Sequence, residues 1–465
     1  MTDYMKQIIA LNHREYGERY DDLRWITEEE AEAAALMRQR LLDDLLCRIN
    51  TANKGTKLFS KTLSLGCQTC QQGTWSCLFI NGRCNCRCFY CPSRQDYTDV
   101  PTTNSVPFRK VTDYVDYVRL FQFSGVSISG GEPLLTPDLT LKFLTKVRET
   151  LGDDIYLWLY TNGTYINKEI LLRLRDAGLD ELRFDIGATK YSLKKARLAV
   201  GIVNHVTVEI PAVPEDEGVL EQKIHEMADA GISYLNLHQL RVTPHNLNHI
   251  IDRNYRVLHG EKVTVLDSEL TALRLMNTAE DKKIKLPINY CSFGYKNRYQ
   301  RKAARLRNAR WIIKPYESLT DNGYIRQIVL RSDPESVTSL IDTFKHHGFS
   351  DESWMVNSGK DCLMIDLPLI ECVDTDRVKI SVCYYEATFQ PVVSYRHPFV
   401  SVPINAQKSI IVEKRLVSEV IDLNINDIDN FVKLALGAKC TFSTDRCWDD
   451  IERYERIPQG LQMYF

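Results

Sequence analysis

The segment CNCRCFYC, Cys84 to Cys91, sets four thiols within eight positions. Soft thiolate donors select zinc or iron–sulfur centres. Three of the four keep the spacing Cys84-x3-Cys88-x2-Cys91. Three thiolates on one short loop can ligate three irons of a cubane [4Fe–4S] cluster, whose usual protein set is four. An iron without a protein ligand is open to a small molecule, as the open position of a catalytic metal is. In that register Cys86 is the spare thiol. The competing reading is a zinc knuckle. An apolar run, CLFIN (Cys77–Asn81), precedes the loop and places it at the C-terminal end of a strand.

A second segment belongs with the first. SISGGEP, Ser127 to Pro133, ends the next strand candidate. Gly130 and Gly131 permit close backbone approach and unusual φ angles. Glu132 offers a carboxylate to the ammonium of a bound amino acid. Together, Cys-x3-Cys-x-Tyr-Cys and Gly-Gly-Glu-Pro resemble the radical S-adenosylmethionine (SAM) superfamily. The resemblance implies that Cys84, Cys88 and Cys91 carry a [4Fe–4S] cluster. It implies that Gly130, Gly131, Glu132 and Pro133 hold the methionyl end of SAM, and that Tyr90 lies beside the adenine. Reductive cleavage of SAM to a 5′-deoxyadenosyl radical, followed by hydrogen abstraction from a substrate, is the implied chemistry. An external one-electron reductant, flavodoxin- or ferredoxin-like, is implied with it. Other strand ends would line the pocket: Thr161 and Asn162 in YTNG, Asp185 in RFD, Glu209 in VEIP, Asn236 and His238 in NLHQ. Superfamily members use the YTNG and VEIP positions for ribose and adenine.

Fourteen cysteines are many for a reducing compartment, where clustered thiols read as metal or redox groups. GCQTCQQG supplies Cys67-x2-Cys70, and INYCSFGYKNRYQRKAARLR supplies Cys291. The combination resembles a radical SAM group described as related to pyruvate formate-lyase activating enzyme, over about residues 62 to 314. The group's reaction is not settled, so the resemblance supplies a cofactor and not a substrate. Cys67, Cys70 and Cys291 form a candidate second metal site, an auxiliary Fe–S cluster or zinc, with Cys77 or Cys86 as a fourth ligand. The alternative is buried thiols that brace the barrel. For Cys362, Cys372, Cys383, Cys440 and Cys447, burial as small apolar residues is the expectation.

These loops need a scaffold. From Cys77 to Leu240, apolar runs alternate with amphipathic helical stretches: CLFIN, GVSIS, IYLWLYT, ELRFDI, HVTVEI and YLNLHQL. Such alternation implies parallel strands covered by helices. Six units suggest a partial (β/α)6 barrel or a doubly wound sheet, with the site at the strand C-terminal ends. The expected fold is α/β, a partial (β/α)6 radical SAM barrel with a helical N-terminal arm and a C-terminal α+β domain. The boundaries expected are 1–61 for the arm, 62–245 for the core, 246–320 for a basic helical extension and 321–465 for the α+β domain. The arm carries a capping box at Thr27–Glu30 and a helical recurrence of Leu36, Leu41, Leu42, Leu45, Leu46 and Ile49.

Charge and hydropathy limit the partners. A net charge of −2 gives no global attraction to nucleic acid or membrane. Apolar runs fall short of the about 20 residues that span a bilayer, and MTDYMKQIIALNHREYGERY lacks the apolar core of a secretory signal. A cytoplasmic protein is the expectation. One local exception is KNRYQRKAARLRNARWIIK, where Arg298, Arg301, Lys302 and Arg305 share a helical face that could meet phosphates, with Tyr299 and Trp311 nearby. Its alternative is a solvated or internally paired helix. The substrate classes are a peptide or protein, or a small molecule, with tRNA third. The different-class alternative is a non-catalytic Fe–S or zinc protein that senses redox state or binds RNA.

Overall fold

Seven strands run parallel in unbroken chain order: Trp75–Phe79, Gly125–Ser129, Tyr156–Thr161, Glu181–Phe184, His205–Pro211, Tyr234–His238 and Ile288–Cys291. Each new strand adds to the same edge. That winding is a barrel's and not a doubly wound sheet's, in which the order reverses at a switch point. The computed structural model describes residues 3–95, 100–375, 377–437 and 446–464. It divides into two compact units, Met1–Gln300 with Gln459–Phe465, and Arg301–Pro458.

All six expected strands are present in the first unit. The first begins two residues early, at Trp75, and ends at Phe79. A seventh, Ile288–Cys291, lies where the sequence reads as basic and helical, and it pairs with Tyr234–His238. The first sixty residues are not helical throughout. Helices Asp3–Tyr16 and Glu28–Leu46 are followed by an antiparallel pair, Asn50–Ala52 with Lys57–Phe59, whose second strand pairs with Ile288–Cys291. The capping box at Thr27 and Glu30 is formed. The apolar face of that helix is narrower than its leucines suggest. Ala31, Ala34 and Leu45 are buried, whereas Leu36 and Leu46 are exposed. Small alanines let the helix pack closely on Leu266 and Leu270 of helix Leu266–Asp281.

Strand alternation sends every second residue to the concave face. Glu181, Arg183, Thr207 and Glu209 lie there, among otherwise apolar strands. Helix Leu65–Gln72 packs beside Glu181, Arg183 and Trp158. A Cβ on Gly66 would meet the Arg183 guanidinium at 2.4 Å and Trp158 at 3.3 Å, so a larger residue would displace the Arg183 side chain.

In the second unit an antiparallel sheet includes Ile325–Arg331, Cys362–Ile365, Lys379–Gln390, Phe399–Asn405 and Lys408–Leu416. Helices Pro334–His346, Ile425–Ala435 and Arg446–Glu455 accompany it, as an α+β reading expects. DCLMIDLPLI is only part strand: it ends at Ile365, and Leu367–Cys372 forms a 3-10 turn started by Pro368. Cys383 is buried, but Cys362 and Cys372 are half-buried, which corrects the expectation for those two. Cys440 lies outside the described residues, and Cys447 lies in helix Arg446–Glu455. No described helix is long and apolar enough to cross a membrane.

Candidate active site

The cluster loop leaves the first parallel strand and is clamped by the Gly-Gly-Glu-Pro segment, which leaves the second. The Gly131 amide donates to Asn81 O at 3.0 Å, and the Glu132 amide donates to Arg83 O at 2.7 Å. Backbone meets backbone here. A Cβ on Gly130 would lie 2.3 Å from Asn81 O, and one on Gly131 would lie 1.9 Å from Arg83 O. Gly130 also holds φ +145°, which L side chains rarely adopt.

Glu132 is fully buried, and its carboxylate is already engaged. It accepts the amides of Leu134 at 2.9 Å and Asn162 at 2.7 Å, and the Thr161 hydroxyl at 2.9 Å. Burial pushes its carboxyl above the usual range, and these donors pull it back only in part. The side chain joins two strand ends, a role its spacing alone does not reveal. Asn162 then reaches the loop. Its Nδ2 lies 3.7 Å from Cys84 Sγ and donates to Asn85 Oδ1 at 2.8 Å.

Among the four loop thiols, the Cys86 amide donates to Cys84 Sγ at 3.4 Å, and Gln95 Nε2 donates to Cys91 Sγ at 3.2 Å. Burial pushes the Cys88 thiol up to about 12 and the Cys86 thiol up to about 11. Uncharged thiols are therefore preferred until a metal cation displaces their protons. Among the described residues, no three His, Cys, Asp or Glu side chains converge on one point as a single ion requires. A cubane makes no such demand, because each thiolate binds its own iron. Tyr90 donates its hydroxyl to Asp185 Oδ1 at 2.8 Å, at the end of strand Glu181–Phe184. Burial raises the Asp185 carboxyl to about 6.

Glu209, Asn236 and His238 form a separate group. Glu209 accepts Arg183 Nη1 and His238 Nε2, both at 2.8 Å, and Asn236 Nδ2 at 2.9 Å. Burial favours the neutral acid, but His238 and Arg183 outweigh it and hold the carboxyl well below the usual range. Desolvation and Lys296 keep the His238 imidazole below its ordinary value. With His238 Nε2 turned to Glu209, its Nδ1 faces Lys296 Nζ at 3.3 Å.

Arg183 is the centre of this group and was not among the expected site residues. It is 3% exposed and also donates to both oxygens of the buried Glu181, at 3.0 and 3.1 Å. Two charged residues two positions apart, on a strand whose other face is Leu182 and Phe184, are the signal that finds it. Arg183→Met should cost about 3–5 kcal/mol of stability, because two buried carboxylates lose their cation. The Glu209 carboxyl is depressed, so its stabilisation is present above the unfolded value of about 4.3 and is lost as pH falls further. The gap between wild type and variant should therefore narrow in acid. Denaturant midpoints at neutral pH and near pH 4 check both parts, and a constant gap would remove Glu209 from the account.

The basic helix resolves differently. Arg298 donates to Gly460 O at 2.7 Å, and Lys302 pairs with Asp321 at 2.8 Å. Arg305 is buried, donates to Asn322 Oδ1 at 2.6 Å and faces the Tyr324 ring. Those three cations are satisfied by the protein, and Tyr299 stacks on Tyr295. The internally paired alternative describes them.

The sequence matches the radical SAM superfamily over residues 78–198. A protein of Methanocaldococcus jannaschii, named provisionally as a glycyl-radical enzyme activating enzyme, is 30% identical over 282 residues. That alignment spans 58% of this chain and 74% of the relative. The chain belongs to the radical SAM superfamily. It is a radical SAM enzyme, and the family implies a [4Fe–4S] cluster, SAM and an external reductant. A GTP 3′,8-cyclase of Sulfurimonas denitrificans is 35% identical over 111 residues, 24% of this chain and about a third (34%) of the cyclase. Among solved structures, Streptococcus suis SuiB bound to SAM aligns with TM-score 0.34 and 13% identity, over 62% of this chain and 61% of SuiB. TsrM of Kitasatospora setae, a radical SAM methyltransferase, aligns with TM-score 0.29 and 14% identity, over 38% of this chain and 39% of TsrM.

Proposed function

We propose that this radical SAM enzyme cleaves SAM reductively and uses the 5′-deoxyadenosyl radical to take hydrogen from a substrate. The observation that carries the reading is the backbone clamp between the cluster loop and the Gly-Gly-Glu-Pro segment. Cys84, Cys88 and Cys91 would hold the [4Fe–4S] cluster. Bound there, cluster and SAM supply the one-electron chemistry. The chain supplies the rest. Gly130, Gly131 and Pro133 present bare backbone beside the loop, where the SAM methionyl end would rest. Glu132 sets the distance between that backbone and the strand end at Thr161 and Asn162. Asn162 steadies Cys84 through an N–H···S contact. Tyr90, fixed by Asp185, presents its ring as a wall for the adenine. Glu209 is saturated by Arg183, His238 and Asn236, so it would shape the adenosyl pocket through that network. The substrate is a peptide or protein, or a small molecule. The name of the Methanocaldococcus jannaschii relative favours a protein.

The test is SAM cleavage. The chain, purified anaerobically and reconstituted with iron and sulfide, should release 5′-deoxyadenosine on reduction. Binding of iron without cleavage, under several reductants and with candidate substrates, would reduce the protein to a non-catalytic Fe–S carrier.

A further inference from the structure

Lys57 is the least expected charge in the first unit. It lies on strand Lys57–Phe59, is 1% exposed, and pairs in register with Cys291. Its ammonium stands 4.3 Å from the centre of the Tyr295 ring. Its strongest electrostatic neighbours are the thiols of Cys291, Cys67 and Cys70, followed by another cation, Arg183. No carboxylate pairs with it among the described residues. A buried ammonium without a counter-charge is strongly unfavourable. Thiolates bound to a metal keep their negative charge and would supply one.

The sulfurs are also provided with donors. Gln300 Nε2 lies 2.8 Å from Cys70 Sγ, and the Tyr295 hydroxyl lies 3.5 Å from the same sulfur. Asn289 Nδ2 lies 3.9 Å from Cys67 Sγ, and that thiol in turn donates to Asn236 Oδ1 at 3.6 Å. Hydrogen bonds to sulfur are a standard control on iron–sulfur centres. Cys77 lies on strand Trp75–Phe79, against which the helix of Cys67 and Cys70 packs, while Cys86 lies in the other loop with its amide on Cys84 Sγ. Cys77 is therefore the better placed candidate for a fourth thiol. A cluster distributes its thiolates over separate irons, whereas a single tetrahedral zinc needs them to converge on one point.

We propose that Cys67, Cys70 and Cys291, with Cys77 beside them, hold a second iron–sulfur cluster whose negative charge is balanced by the buried ammonium of Lys57. Insertion of an assembled cluster releases the thiol protons and changes no oxidation state; assembly in place takes its ferric equivalents from ferric iron in the reconstitution mixture. None of these four cysteines is among the residues that would hold SAM or its cluster, so iron counts test this proposal and SAM cleavage tests the other.

Iron, sulfide and zinc are counted on the full chain after anaerobic purification and reconstitution with iron and sulfide. Wild type should carry iron and sulfide beyond one cubane. Cys67→Ser and Cys291→Ser should each return to a single cubane, still show the SAM-dependent change in the reduced protein's electron paramagnetic resonance signal, and still release 5′-deoxyadenosine. Lys57→Met should keep the iron but move the second centre's midpoint potential more negative, because a nearby cation favours the added electron. One cubane in reconstituted wild type overturns the proposal, even if the serine variants fail to fold. Stoichiometric zinc that disappears in Cys67→Ser overturns the iron assignment. An unchanged potential in Lys57→Met overturns the role of Lys57.

Discussion

Cys88→Ser is expected to lose the SAM-binding cluster, whereas Cys86→Ser should keep it. Serine is nearly isosteric with cysteine but a far poorer ligand for iron, so the pair separates chemistry from packing. Cys86 lies two residues after Cys84 and serves that sulfur through its backbone amide, at 3.4 Å. Serine retains that amide. Cys88 occupies the central position of the three-ligand spacing and is the more deeply buried thiol, pushed up to about 12. On the three-ligand assignment its loss would remove one of three protein ligands and leave two of the four irons without one. The SAM-dependent resonance signal and 5′-deoxyadenosine release, read on both variants beside wild type, decide the matter. Cluster loss in Cys86→Ser with retention in Cys88→Ser would move the ligand register.

Gly131→Ala should be nearly as damaging without touching a ligand. The new methyl would sit 1.9 Å from Arg83 O and 2.9 Å from the Cys84 amide nitrogen. Both are backbone atoms, so no side chain can swing away. The Gly-Gly-Glu-Pro segment must retreat from the loop, which breaks the Gly131 and Glu132 amide bonds to Asn81 and Arg83. Overpacking of this kind costs about 1–3 kcal/mol. The larger effect is geometric: a displacement of about 1 Å in a positioned reactant can lower a rate about 10²-fold. A folded variant with a cluster but about 10²-fold slower SAM cleavage is the expected result. Wild-type cleavage by Gly131→Ala would show that the clamp is not needed.

Much of the first unit can be read from the chain because its signals are local. Six strands alternate with helices, and a tight pair of glycines marks backbone contact. What escapes the reading depends on partners far apart in sequence. The partners of Glu132 are Asn162 and Thr161, thirty and twenty-nine residues on, and nothing around GGEP announces them. Arg183 escapes because ELRFDI draws attention to Asp185, although its i, i+2 relation to Glu181 already places both on one face. Ile288–Cys291 is four residues long and sits in a charged stretch, so tertiary pairing rather than propensity makes it a strand. Lys57 looks like a solvated lysine of an N-terminal arm. Only the pairing of its strand with Ile288–Cys291 carries it inward.

The last residues of the chain belong to the first unit. Gly460 donates its amide to Lys54 O at 2.7 Å, and Gln462 Nε2 donates to His259 O at 2.7 Å. Arg38 donates to Gln462 O at 2.7 Å, and Tyr464 donates its hydroxyl to the buried Glu269 at 2.7 Å. Synthesis runs from the N-terminus, and domains generally fold as units as they emerge. Here the ribosome must translate all of Arg301–Pro458 before it makes the segment that closes these contacts. The second unit is therefore free to fold while the first still lacks its final piece, and a nascent chain that stalls after Pro458 would leave Glu269 without Tyr464.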